Sequence, residues 1–170
     1  MRIGVLADTH DRVPAVEEFL REFAQRGATL VLHAGDICSP FALRPFRGAA
    51  MPLLGVFGRN DGDHAGLTAA AAALPAGGEL YGGPHSVEVE GHTVLLVHDP
   101  ADVPTRSLEA HTVVVYGCSH EAEMSERGGA LLVNPGEACG WLHGTPQAAV
   151  LDLEARRVEF LTLTDGRWRA

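Results

Sequence analysis

Asp8 and His10 stand two residues apart at the end of a short apolar run, Ile3-Gly-Val-Leu-Ala7, and three later segments repeat the arrangement. Leu30-Val-Leu-His-Ala-Gly-Asp36 ends in a carboxylate, Thr93-Val-Leu-Leu-Val-His98-Asp99 in an imidazole and a carboxylate, and Thr112-Val-Val-Val-Tyr-Gly-Cys118-Ser-His120 in a further imidazole. The loop Gly58-Arg59-Asn60-Asp61 adds an amide, a guanidinium and another carboxylate. Runs of this kind read as buried strands. Donors carried past their C-terminal ends meet at the edge where open α/β sheets bind ligands. Mixed Asp and His donors suit Mn, Fe, Zn or Ni rather than Ca, which takes oxygen alone. A carboxylate such as Asp36 can bridge two divalent ions, and two ions about 3.5–4 Å apart clamp a phosphate and generate hydroxide.

The elements that must position these donors alternate in the first half of the chain. A strand over 3–7 leads to a helix from Val13 to Arg26, with Val16, Phe19, Leu20 and Phe23 at helical spacing, Pro14 near its start and Gly27 as its stop. A strand over 29–33, a short helix over 40–46, a strand over 52–57 and an Ala-rich helix over 65–74, ended by Pro75-Ala-Gly-Gly, follow. This order implies a parallel sheet covered by helices. The second half is hairpin-like: 85–91 with 92–98, a strand over 112–116, 121–126 with 130–134, and 147–153 with 157–164. Two stacked sheets with helices outside, a four-layer α/β/β/α sandwich, are the expected fold, with residues 1–170 forming one domain.

A chain of 170 residues with 46% hydrophobic and 21% charged residues is a compact globule with a substantial core. No apolar stretch reaches the roughly 18–20 residues of a membrane span, and the first strand runs straight into Asp8 and His10 instead of forming a leader. A cytoplasmic protein is expected. The net charge of −9 disfavours nucleic-acid polymers as partners. Three cysteines without CxxC spacing indicate neither a disulfide framework nor a zinc knuckle. Exposed hairpins in the second half could pair subunits into a homo-oligomer.

Taken in order, Asp8-Thr-His10, Gly35-Asp36, Gly58-Arg-Asn-Asp61, His98, Gly117-Cys-Ser-His120 and Asn134-Pro-Gly136 resemble the motifs of the calcineurin-like metallophosphoesterases, in particular the small YfcE-type phosphodiesterases. The resemblance implies the sandwich fold and hydrolysis of small phosphoesters by a metal-bound hydroxide at a dinuclear centre, manganese being one of the metals expected. It matches Asp8, His10, Asp36 and His120 to the first metal, with Asp36 bridging.

The second metal departs from the pattern. Arg59 stands where the family has Asn, with Asn60 one place later, and Cys118 stands where it has His, while His98 is kept. Asn60, His98 and Cys118 are therefore the candidate ligands of an altered second site, and a thiolate there would favour zinc or iron. Such a one-residue offset normally points a side chain elsewhere. Arg59 and Asp61 are the candidate catalytic residues, Arg59 as a bidentate phosphate contact. Glu137 replaces a Ser that often follows Asn-Pro-Gly. His33 is expected to pack beneath the site, and His64 is a candidate general acid. The altered positions also fit a second class of function, a scaffold acting through protein contacts like the retromer subunit of this fold, or a mononuclear hydrolase in which Arg59 replaces the second cation.

Overall fold

The computed structural model describes residues 1–169 and, among them, builds two sheets from eleven strands. In chain order, β1 (Arg2–Leu6), α1 (Val13–Gln25), β2 (Leu30–His33), β3 (Leu53–Val56), α2 (His64–Ala72) and β4 (Gly78–Tyr81) form the alternating half. Then come β5 (His85–Val89), β6 (His92–Leu96), α3 (Thr105–Glu109), β7 (Val113–Val115), β8 (Ala122–Arg127), β9 (Ala130–Pro135), β10 (Gln147–Asp152) and β11 (Arg157–Thr162).

The six-stranded sheet has the order β11-β10-β1-β2-β3-β4, and its β1 to β4 half is parallel. The five-stranded sheet has the order β5-β6-β7-β9-β8, with β6, β7 and β9 parallel at its centre. Strands covered on both faces read as unbroken apolar runs, which is how Leu30–Leu32 and Val113–Val115 are written. Ile3, Val5, Leu32, Leu96, Val115 and Val133 fill the space between the sheets.

Outside the six-stranded sheet, α1 buries Val16, Phe19, Leu20 and Phe23. Outside the other sheet, α3 contributes Leu108, which packs with Leu95, Val114, Tyr116 and Leu132. The four layers are those the sequence implies, the fourth being thin.

The differences are local. The segment after Asp36 is a 3-10 helix from Pro40 to Gly48, because Pro45 inside it lacks the N–H that an α-helical ladder requires. β4 lies in a stretch opening Gly77-Gly78, which reads as turn, yet it completes the sheet edge against β3. The five-residue α3 is too short to show a period. Among the described residues no helix is long and apolar enough to cross a membrane.

Candidate metal centre

Every candidate donor sits on a bend just past a strand end. Asp8 and His10 follow β1, Asp36 follows β2, the 58–61 loop follows β3, His98 follows β6, and Cys118 and His120 follow β7. Asp8, His10, Asp36, Cys118 and His120 all have positive φ, at 50°, 38°, 60°, 71° and 62°. Non-glycine residues seldom adopt that region. Backbone hydrogen bonds between neighbouring bends hold them there: Asp8 N donates to Gly35 O, His10 N to Asp36 O and Gly117 N to His98 O, each at 3.0 Å. The two sheets thus end in a cross-linked rim that turns the side chains inward.

At this rim, His10 Nε2 lies 3.9 Å from Asp8 Oδ1 and 3.5 Å from Asp36 Oδ2. His98 Nε2 is 3.5 Å from Asp36 Oδ2, and His120 Nε2 is 3.4 Å from Asp8 Oδ1. Three imidazole nitrogens therefore face two buried carboxylates. Asp8 Oδ1 and His10 Nε2 are buried without a hydrogen-bond partner. Buried polar atoms are almost always paired, and ligand atoms of Asp8, His10 and Asp36 lie within 4.8 Å of one another. Two orphaned donors aimed into one gap fit a cation. Burial pushes the Asp8 carboxyl above its ordinary value, against the downward pull of His120 and His98, so a positive charge there would be strongly felt.

The far sides of the imidazoles are fixed as well. His98 Nδ1 donates to the Ala34 carbonyl at 2.8 Å, and His120 Nδ1 donates to Glu137 Oε2 at 2.9 Å. Because those oxygens only accept, both rings present an Nε2 lone pair to the gap, the arrangement that orients histidine ligands. His10 Nδ1 meets the Cys38 sulfur at 3.3 Å. Glu137 is fully buried and also accepts from the backbone of Leu142 and His143. Burial drives its carboxyl up, but the His143 N–H, His120 and Leu142 outweigh it and hold the group below the usual Glu range.

His33 lies beneath, as its place before Gly35-Asp36 implies. Gly35 N donates to its Nδ1 and its Nε2 meets Thr9 Oγ1, both at 3.1 Å. Burial lowers its pKa to about 4, so the ring is neutral.

The 58–61 loop is organised by Asp61. Its carboxylate accepts from Asp36 N at 2.9 Å, Cys38 N at 2.7 Å and Gly58 N at 2.6 Å, placing it under the site as a clamp on the backbone. These three bonds give Asp61 a structural role beside its reading as a catalytic candidate. Asn60 is drawn inward despite the offset: its N donates to Asp36 Oδ1 at 2.8 Å and its Nδ2 to Oδ2 at 2.7 Å. Burial pushes Asp36 up, yet these two bonds, with His98 and His10, hold its carboxyl below the ordinary Asp value. Gly58 has to be glycine, since a Cβ there would lie 2.2 Å from Asp36 Oδ1.

Arg59 lies on the outer rim, its side chain 60% exposed, and donates to Asp99 Oδ2 at 2.5 Å. Cys118 donates its backbone N–H to Asp8 Oδ2 at 3.2 Å, while its thiol meets Asp99 Oδ2 at 3.6 Å. Burial and Asp99 raise that thiol's pKa. His64 is exposed and stacks flat on Phe57, with ring centres 3.9 Å apart. The roles of Glu137 behind His120 and of Cys38 behind His10 are not readable from spacing. The one available signal was Glu137 as an unexpected residue after Asn-Pro-Gly.

Comparison with known proteins agrees with this geometry. Residues 1–156 match the calcineurin-like phosphoesterase superfamily domain. The chain is 28% identical over 166 residues to phosphodiesterase MJ0936 of Methanocaldococcus jannaschii, covering 96% of this chain and 99% of that protein. It is also 28% identical to a probable metallophosphoesterase of Methanothermobacter thermautotrophicus, over 98% of this chain and 94% of that one. A solved archaeal phosphodiesterase superimposes with a TM-score of 0.89 at 28% identity, covering 96% of this chain and all of the other. The E. coli phosphoesterase YfcE, at 0.69 and 20% identity over 96% and 98% of the two chains, shares the fold. The match over most of its length, together with the buried Asp and His cluster at the rim of two stacked sheets, places the chain in the calcineurin-like phosphoesterase superfamily.

Proposed function

We propose that this chain is a metal-dependent phosphodiesterase acting on small phosphoesters. Asp8, His10, Asp36 and His120 hold one divalent ion, and Asp36, His98 and Asn60, with Cys118 at the edge, hold a second. The observation that carries this reading is the pair of buried, partnerless atoms, Asp8 Oδ1 and His10 Nε2, facing one gap. The phosphodiesterase relative, aligned over nearly the whole of both chains, supports the reaction class. Divalent ions bound there neutralise phosphoryl oxygens and acidify water to near neutrality. The chain's own residues do the rest. Asp36 stays ionised through its bonds from Asn60, and the Nδ1 bonds of His98 and His120 keep both rings aimed. Arg59 presents a guanidinium at the mouth, tethered by Asp99, where it meets the incoming phosphate. The net charge of −9 favours a small substrate over a polyanion.

The test combines elemental analysis with hydrolysis of bis(p-nitrophenyl) phosphate across Mn, Ni, Zn and Fe. Two bound ions with turnover are expected, and Asp36→Asn and His10→Ala should each abolish hydrolysis. Wild-type turnover in either variant, after stripping and reloading, refutes the proposal.

A second reading, a scaffold working through protein contacts, draws on the outer half of the site. Arg59 and the Cys118 thiol both turn to Asp99, and Vps29 from Chaetomium thermophilum shares the fold with a TM-score of 0.66 at 19% identity. At most one ion and no turnover would favour it.

A further inference from the structure

Beside the first-metal bend stands an exposed tryptophan that phosphoester hydrolysis as described does not use. Trp141 is 58% exposed, yet it is fixed at several points. Its Nε1 donates to the His10 carbonyl at 3.5 Å, next to a metal-facing imidazole. The Arg12 guanidinium lies 4.0 Å over its ring and 5.0 Å over that of buried Trp168, so it is wedged between the two. Behind it, Gly140 turns with φ of 64° so tightly that a Cβ would lie 2.7 Å from Pro146 N. Ahead of it, the N–H groups of Leu142 and His143 bind Glu137, the carboxylate that also aims His120. The loop bearing the tryptophan and a donor of the candidate centre therefore share one anchor.

A single exposed apolar side chain needs no explanation. A large aromatic held by a hydrogen bond and a cation over its ring, yet still 58% exposed, is different. It loses little freedom on binding and offers the kind of surface on which bases stack.

We infer that Trp141 and Arg12 form a stacking platform for the base of a nucleoside phosphoester whose phosphate lies at the Asp8–His10–Asp36 centre. This names the substrate class within the phosphodiesterase reading and rests on it for the phosphate's position. The ring is hydrogen-bonded to the backbone of His10, whose imidazole faces that centre, and Arg12 adds a positive charge against the ring. With a net charge of −9, the ligand is a mononucleotide or short nucleotide ester, not a polymer.

The experiment is calorimetric titration of the Mn-loaded protein with adenosine monophosphate and, separately, methyl phosphate. The wild type should bind the nucleotide about tenfold more tightly than methyl phosphate. Trp141→Ala should reduce that preference to near unity, Trp141→Phe should keep most of it, and Arg12→Ala should lose part. Equal affinity for the two phosphates in the wild type, or a preference that survives Trp141→Ala, overturns the platform. Because the readout is binding, failure to hydrolyse any diester would sink the phosphodiesterase reading and leave this one to stand or fall on the titration.

Discussion

His120 donates its Nδ1 proton to Glu137 Oε2 at 2.9 Å, and the same carboxylate receives the N–H of His143 at 2.6 Å. One buried anion therefore sets both the ring orientation of a candidate ligand and the path of the loop past Trp141. Replacing Glu137 with Gln removes the charge and leaves an amide with a single oxygen to accept where Glu137 accepts at two. Metal affinity should fall by about 10- to 100-fold, as for other partners behind histidine ligands. Competition with a chromophoric chelator measures this directly, and an unchanged affinity would show that His120 is oriented without Glu137.

Asp61 holds three backbone N–H groups. In Asp61→Ala those donors lose their partner while the bends of Asp36 and Gly58 remain crowded. A loss of about 3 kcal/mol in unfolding free energy is expected, read from the urea midpoint of the metal-free protein. A variant as stable as the wild type would contradict the clamp.

His33 links stability to pH. Its folded pKa of about 4 lies below the ordinary value of 6.5, so between these values the unfolded chain binds a proton that the folded chain refuses. Its contribution is fully present above about pH 6.5, declines as pH falls from there, and is lost by about pH 4. The depression corresponds to on the order of 3 kcal/mol over that window. Urea unfolding of the metal-free wild type and of His33→Gln, compared at pH 7 and pH 4.5, should show a smaller acid loss in the variant.

Arg59 is exposed and bonded to Asp99, so Arg59→Ala should leave the melting temperature unchanged. If its guanidinium meets the substrate phosphate, KM for bis(p-nitrophenyl) phosphate should rise about tenfold. Unchanged KM and kcat would remove Arg59 from the site.

Much of this site is written into the chain because each donor ends a recognisable strand. Asp8, His10, Asp36, His98 and His120 follow apolar runs whose parallel pairing brings their ends together. What escaped the reading depends on contacts made across loops. Glu137 reaches His120 over seventeen residues of chain, and Cys38 reaches His10 over twenty-eight. Asn60 is a candidate ligand whose one-residue offset argues against it, yet Asp61 bends the loop so that both its N–H and its amide fall on Asp36. β4 was hidden by the glycines that open it, and α3 by its length.

The positive φ values at Asp8, His10, Asp36 and His120 limit what can replace them. Asp, Asn and His are the side chains most often tolerated in that backbone region, and they are also oxygen and imidazole donors. Valine, isoleucine or threonine would be rejected at these positions by the main chain alone, before any question of coordination arises. Drift in this rim is therefore steered toward other residues that can still bind something.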